Sequence, residues 1–541
     1  MKLVKSLLLG SAAGLCAVAG AQAADLPARR AAPVEYVRVC TAYGAGFFFI
    51  PGTDTCLRVG GRARFEYQYV SNRTRNNDVS GFRGLGRLNI DARTQTGYGT
   101  LRAFVRFELA SRTGAQLTSG TQQRYANAFP AIGQDTFGRA QQYVNVDKAF
   151  VQFAGFTAGR ASSFYDFYAH DLEFVGVSVG SDVFSTNLLA YTLTFGQGWS
   201  ATISMEDPIF RRSPTFGTIA ALGTAALGST TPTASTTFFV GQGVFTGVGT
   251  SFAANGAPLS AVNIDVQQRN HLPDFVGALR YDAPWGAAQI SAAVHELRTG
   301  NFASAAFGVN GGVVPVGQPV ARVPSAEYGW AVQGGLKLNL PQIATGDVLW
   351  LQAAYGQGAN AYTGITVPQG SEVLGAGYTN RFTGANVPGG YDMAIDANGR
   401  AHLTESWSGS AAFLHYWSPQ WRQAFFGSYG RATFDKALRG PASPLIGTFF
   451  NAAGPTGTGA ALFSGFGKDY SNIVAGSNLI WSPVKDLDIG VEALYQRMEF
   501  LGGASRGRVV DANKPVTVGG VPRSVKVDDN VIVRMRVQRD F

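Results

Sequence analysis

The sequence predicts an all-β chain: a 16-stranded antiparallel transmembrane β-barrel with short periplasmic turns and long extracellular loops. Three observations predict it. Charged residues are 15% of the 541 residues, against roughly 25% in ordinary soluble domains. After the first 23 residues no run of about 18 consecutive apolar residues exists from which a spanning helix could be made. Mean hydropathy is +0.03, the near-neutral average of strands whose residues alternate between lipid and water.

From residue 57 onward the chain repeatedly shows alternating polar and apolar residues bounded by Gly, Pro, Asn or Ser. The first strand, 57–70, places Val59, Ala63, Phe65, Tyr67 and Tyr69 on one face and Arg58, Arg62, Arg64, Glu66 and Gln68 on the other. The second, 81–94, sets Phe82, Leu88 and Ile90 against Arg83, Arg87, Asn89, Asp91 and Arg93. The third, 98–110, sets Leu101, Ala103, Val105, Phe107 and Leu109 against Arg102, Arg106 and Glu108. One face suits lipid and the other suits water. The remaining strands are expected at 143–154, 156–162, 187–195, 198–206, 274–283, 286–297, 328–340, 346–357, 405–417, 420–435, 470–482, 485–500 and 526–541, with the middle ones alternating less cleanly.

The connections sharpen the reading. Those after even strands are tight, such as Gly155, Pro284-Trp285 and Ser418-Pro419, whereas those after odd strands are mostly long. Such segregation is the asymmetry of an outer-membrane barrel. The longest connection, 207–273, holds a run from Ser213 to Ile264 without a charged residue or His. It reads as an uncharged, low-complexity extracellular loop, or as a cap over the pore mouth or a neighbouring protomer. The last strand is amphipathic and ends in Phe541, the pattern that outer-membrane assembly factors read, so Phe541 is the candidate assembly signal. Aromatics near strand ends, Tyr69, Tyr98, Tyr143, Trp199, Trp285, Trp330, Trp417, Trp421 and Trp481, could form two interfacial girdles.

At the other end, Lys2 and Lys5, the apolar stretch from Leu7 to Ala19 and Ala21-Gln22-Ala23 read as a cleavable signal peptide, 1–23. Its removal takes the net charge from +9 to +7 and Cys16 with it. Residues 24–56 then form an N-terminal periplasmic segment, and 57–541 the barrel. Cys40 and Cys56 are left as the two thiols of an oxidising compartment, so a disulfide is expected. In the loop-entropy picture it contributes about 3 kcal/mol by restricting the unfolded chain.

Closing the barrel puts the last strand beside the first. The water-facing residues of strands 16, 1, 2 and 3 then make one basic wall: Arg534, Arg536, Arg58, Arg62, Arg64, Arg83, Arg87, Arg102 and Arg106. Between residues 57 and 110 there are ten Arg, no Lys and four acids. Arg stays charged at every relevant pH, which suits a fixed positive surface lining water. The counterpart is the loop 163–186, with Asp166, Asp171, Glu173 and Asp182, no Lys or Arg, and Phe164, Tyr165, Phe167, Tyr168, Phe174 and Phe184. Folded inward, it would be a pore constriction whose acids face the arginines across a narrow water gap, a field that favours small hydrated solutes. The net charge argues for anion preference and the acids at the narrow point for cation preference. The nearer groups are expected to prevail, because screening weakens distant charges.

The stretch Val34-Glu35-Tyr36-Val37-Arg38-Val39-Cys40-Thr41-Ala42-Tyr43-Gly44-Ala45-Gly46-Phe47-Phe48-Phe49-Ile50-Pro51-Gly52-Thr53-Asp54-Thr55-Cys56-Leu57-Arg58-Val59-Gly60-Gly61 resembles the N-terminus of the alphaproteobacterial, Brucella and rhizobial type, outer-membrane general porin family. The leader Lys5 to Ala13 and the segment from Phe156 to Phe164 are similar to it as well. The resemblance implies a sixteen-stranded barrel, a homotrimer, and a third extracellular loop folded into the pore. It departs in length, above all at 207–273.

The expected function is passive diffusion of small hydrophilic solutes and ions through a water-filled outer-membrane channel. The expected partners are outer-membrane lipid and lipopolysaccharide, the assembly machinery and further copies of the chain. The alternatives are a substrate-selective uptake channel and a surface adhesin or structural barrel with a closed pore. An enzyme is not expected. His170 near Ser162, Ser163 and Asp171 could be read as a triad, yet no Gly-x-Ser-x-Gly turn frames these serines. No cofactor or metal site is expected, and the basic pI of 9.4 is better explained by lumen and headgroup contacts than by nucleic acid.

Overall fold

A computed structural model of the chain describes residues 38–71, 79–114, 133–134, 140–182, 185–212, 215–221, 236–241, 244–252, 258–265, 269–298, 303–308, 313–314, 326–365, 392–395, 401–435, 469–502, 509–510 and 524–541. The proposed signal peptide lies outside them. Two units are present, Met1–Leu57 and Arg58–Phe541.

In the first unit the Cys40–Cys56 disulfide is formed, with Cα atoms 6.0 Å apart. Phe48 and Phe49 pair with Leu57 and Cys56 as a short ladder. Phe47, Tyr43 and Phe49 pack on the disulfide, and the Arg38 guanidinium lies over the Phe49 ring at 4.4 Å. A mini-core of this size cannot supply much burial, and the covalent link offsets that shortage.

The second unit is a closed antiparallel barrel of sixteen strands. They are β1 (Cys56–Val70), β2 (Ser80–Thr96), β3 (Gly99–Thr113) and β4 (Ala140–Phe153). Then come β5 (Phe156–Ala161), β6 (Thr186–Thr194), β7 (Trp199–Glu206) and β8 (Asp274–Ala283). β9 (Gly286–Leu297), β10 (Glu327–Asn339), β11 (Val348–Gln357) and β12 (Glu405–Ser418) follow. β13 (Trp421–Thr433), β14 (Tyr470–Val484), β15 (Leu487–Phe500) and β16 (Val527–Asp540) complete the ring. Each pairs with its neighbours in sequence, and β16 closes on β1 from Arg62↔Asp540 to Val70↔Ile532. Closure leaves no open strand edge, the condition for a sheet to cross lipid. All sixteen expected strands are present, and the largest offset of a strand end is three residues, at Ala140 and at Thr113.

The tight turns follow from backbone chemistry. Between β4 and β5 the two turn residues, Ala154 and Gly155, both have positive φ, 48° and 87°. That is the two-residue turn whose twist matches the flanking strands. At the same end of the barrel Trp199, Trp285, Trp417, Trp421 and Trp481 are exposed, and at the other end so are Trp330, Tyr355 and Trp407. Trp407 and Trp417 stand ten residues apart on β12, about 33 Å of strand, or roughly 25 Å along the axis of a barrel with strands tilted ~40°. Two aromatic girdles thus bracket an apolar band of membrane thickness. The Tyr143 side chain lies outside the described residues.

The uncharged run after β7 is not featureless. Thr215–Ala221 pairs with Thr236–Gly241 and, in parallel, with Met393–Ile395 of the loop after β11. Val244–Phe252 pairs with Pro258–Asp265, which pairs with Ala303–Gly308 of the loop after β9. These low-complexity segments thus carry regular strand pairing. Thr, Val and Phe recur in them, and such residues favour strands even in an Ala- and Gly-rich context.

Candidate functional site

The described part of the connection between β5 and β6, residues 162–182 with Ser185, lies inside the barrel. It is pinned by wall side chains that donate to or accept from its backbone. Ser291 Oγ and Gln333 Nε2 donate to the Tyr165 carbonyl at 2.7 and 2.9 Å. The Tyr168 amide donates to Gln352 Oε1 at 3.0 Å, and Asn478 Nδ2 donates to the Leu172 carbonyl at 2.7 Å. Glu492 accepts from the amides of Phe174 and Val175 at 2.6 and 2.8 Å. The Phe174 carbonyl then accepts from Arg534 and Arg536 at 2.8 and 2.9 Å, and Ser428 Oγ accepts from the Val179 amide at 2.7 Å. A loop that leaves water must have its backbone groups satisfied this way.

Apolar packing does the rest. Tyr168, Val175 and Val177 bury against inward-facing Ala412, Phe426, Val474, Leu494 and Ile532. Tyr165 packs with Val276, Ala293, Ala331 and Tyr362. Each such side chain contributes about 1.5–3 kcal/mol when fully buried. Phe167 lies on Gly335 of β10, where any Cβ would collide with its ring. The half of the lumen lined by β8 to β15 is thus filled by the loop.

Between the loop and the opposite wall remains a cavity of about 320 Å³. Its lining includes Arg62, Arg64, Arg83, Arg87, Arg106, Arg534 and Arg536 from the wall, and Asp166, Asp171, Glu173 and Asp182 from the loop. Seven of the nine sequence-selected arginines are brought together with all four acids. The other two are not. Arg58 is exposed at the start of β1, and Arg102 sits nearer the short turn, bonded to Asp91 at 2.9 Å and to Gln152 at 3.0 Å.

The acids differ from one another in a way that counting could not show. Asp166 accepts from Arg211 Nη2 at 2.7 Å and from Ser181 Oγ at 2.5 Å. Arg211, just after β7, lies over the Tyr362 ring at 4.1 Å. Burial opposes its charge, yet Asp166 holds its pKa above the ordinary arginine value. Glu173 accepts from the amides of Val177 and Ser178 at 3.0 and 3.2 Å and so braces its own loop. Asp182 lies 3.2 Å from His170 Nδ1. Asp171 alone of the four is exposed. Its carboxyl is pushed up to about 6 by the protein around it and by neighbouring Asp182.

On the wall, acids lie beneath the arginines. Glu66 is fully buried and bonded to Arg83, with Arg536 at 2.6 Å and Arg64 at 3.9 Å. Glu108 holds Arg87 by Nε at 2.8 Å, and Asp147 holds Arg106 at 3.2 Å. Asp147 and Lys148 were not singled out from the sequence. A β-bulge, where Arg106 pairs with Lys148 but Phe107 with Val146, breaks the alternation there and turns both residues inward. Arg211 was also missed. The one signal it carries is its place two residues before the long uncharged run. The Ser–His–Asp grouping considered from sequence is spent on other contacts: Lys148 Nζ donates to Ser162 Oγ at 2.5 Å, and His170 faces Asp182. Phe541 exchanges backbone hydrogen bonds with Gly61 at 2.8 and 3.0 Å, and its ring occupies the place of a Gly61 Cβ.

A closed sixteen-stranded barrel with aromatic girdles outside and a charged water gap inside defines a channel of the outer-membrane type. The chain matches the family described as the Porin subfamily over residues 25–521. It is 31% identical over 377 residues, 65% of this chain and 84% of the relative, to porin Omp2b of Brucella suis biovar 1, and to the same extent to Omp2b of Brucella abortus and Brucella melitensis biotype 1. Among solved structures, the outer membrane channel DcaP of Acinetobacter baumannii is similar with a TM-score of 0.49 at 13% identity, covering 91% of this chain and 99% of that one. The chain belongs to the porin family, and it is a porin of the bacterial outer membrane.

Proposed function

We propose that the loop 163–186 is the constriction of this porin and that small hydrophilic solutes and ions cross it by passive diffusion through the gap beside the arginine wall. The observation that carries this is the loop's anchoring along a continuous arc of the wall, from Ser291 on β9 to Arg534 and Arg536 on β16. Ser291, Gln352, Asn478 and Glu492 hold its backbone from β9, β11, β14 and β15, and next to Glu492 Arg534 and Arg536 of β16 hold the Phe174 carbonyl. A loop so fixed narrows the lumen permanently. At about 30 Å³ per water, the remaining space holds on the order of ten waters, enough for a partly hydrated ion or a small polar solute.

In this reading the tight turns face the periplasm, and three copies associate in the membrane. Supporting the trimer is the outer face of β8 to β13. It presents Gly277, Gly334, Ala353 and Ala411 between its girdles, so that two such faces could approach closely. The test is single-channel recording of the purified protein in a planar bilayer. Stepwise, near-ohmic conductance in groups of three is expected. Clean insertion without current would overturn passive diffusion in favour of a closed structural barrel.

A further inference from the structure

We propose that the gap is an anion station: it binds small doubly charged oxyanions through its arginine wall, and Asp171 is the acid that limits this preference. The inference rests on the channel reading above and adds its sign and its ligand class.

The argument turns on which charges touch the water. The lining is rich in both signs, but the two are not equally placed. Arg62, Arg64, Arg87, Arg106 and Arg536 keep between 12% and 24% of their side chains exposed, while Glu66, Glu108 and Asp147, the acids paired with the last four, are 0–1% exposed, and Asp540, which pairs with Arg62 and is 42% exposed, is not part of the gap lining. On the loop, Asp166, Glu173 and Asp182 are buried to 8% exposure or less and each has its partner group. A solute in the gap therefore meets guanidinium edges on one side and a single open carboxylate on the other. Contact decides affinity here, since a charge behind its counter-ion is largely cancelled at the distance of the solute.

The donors fit a particular chemistry. Arg62 turns Nε and Nη2 on Asp540, and Arg64 turns the same two atoms on Gln538. Among the described residues neither makes a hydrogen bond from Nη1. Each guanidinium carries five donors, so both retain donors for a guest. Oxyanions that present two oxygens side by side are what such forks hold best, by paired charge-assisted hydrogen bonds, and a second negative charge strengthens the hold. Lys148 adds a point charge at the same gap. The expectation of cation preference from four acids is thereby reversed, because three of the four are consumed in folding the loop.

The test uses the whole protein in a planar bilayer under a potassium chloride gradient, then with inorganic phosphate added on one side. The reversal potential should show chloride favoured over potassium by on the order of two- to fivefold. Phosphate should lower the chloride current saturably, and acetate at equal concentration should do so much less. Asp171→Asn should raise the anion preference, and Arg87→Gln with Arg106→Gln should lower it and weaken the phosphate effect. A cation-selective wild type, or a phosphate response that is linear and matched by acetate, would sink the proposal while leaving the porin reading intact. Absence of any stepwise conductance would remove the channel reading and this proposal together.

Discussion

The two halves of this barrel's interior are built on opposite principles. The half lined by β8 to β15 offers neutral hydrogen-bonding groups such as Ser291, Gln333, Gln352, Ser428 and Asn478, with inward apolar residues such as Phe426 and Leu494 between them. The half lined by β16 and β1 to β4 offers arginines over buried carboxylates. The first half is dry because a loop fills it. The second is wet because arginines repel one another unless water or a carboxylate intervenes. The difference teaches that a porin lumen is not a uniform polar tube: mostly neutral residues, joined by Glu492, Arg534 and Arg536, receive the loop, and the other wall arginines are left facing the gap.

Four changes would break or sharpen this contrast. The largest effect is expected at Glu66, the shared counter-charge of the wet half. Glu66→Gln leaves Arg83, Arg536 and Arg64 facing one another, at a cost of about 3–5 kcal/mol. It should appear as a lowered thermal midpoint by circular dichroism in detergent, with stronger anion preference in what folds. Next comes the dry half. Gly335→Leu drives a side chain into Phe167 and should cost about 1–3 kcal/mol by overpacking. Its conductance should rise and become noisier as the loop leaves the wall; an unchanged conductance would mean that the loop does not narrow the pore.

A smaller effect is expected from pH. The Asp171 carboxyl is raised to about 6, so it holds a proton below that pH and is charged above it. Anion preference should grow as pH falls from about 7 to about 5. The charged and titratable neighbours of Asp171 are Asp182 and His170 on the loop, Lys148 on β4 and Lys337 on β10. Lys148 and Lys337 only steady the baseline. Reversal potentials of Asp171→Asn across the same range isolate the Asp171 part, since the shift that belongs to Asp171 should vanish in that variant. The smallest effect is expected outside, at Trp421→Ala, which stacks with Trp481 at 5.9 Å. It should lower the midpoint by the worth of one aromatic pair, about 0.5–1.5 kcal/mol, without altering selectivity.

Much of the fold was legible in the residues themselves. Alternation placed sixteen strands, and the parity of Arg62, Arg64, Arg83, Arg87 and Arg106 put them on the water side, since a two-residue period leaves no other face for them. The imperfect alternation of the middle strands was also visible, but its meaning was not. Phe426 and Leu494 look misplaced on a water-facing parity until the loop that covers them is in view. At Asp147 and Lys148 the bulge broke the rule that parity depends on.

What the sequence by itself determined is therefore the barrel, its strand count, the side on which its arginines stand and the disulfide of Cys40 and Cys56. These depend on local period, spacing and composition. What only the tertiary structure decided is which charges meet water. Asp166 is neutralised by Arg211, 45 residues away, and Arg536 is tied to Glu66 across 470 residues. Ion pairing is a property of neighbours in space, and a pattern read along the chain carries no distance between residues so far apart.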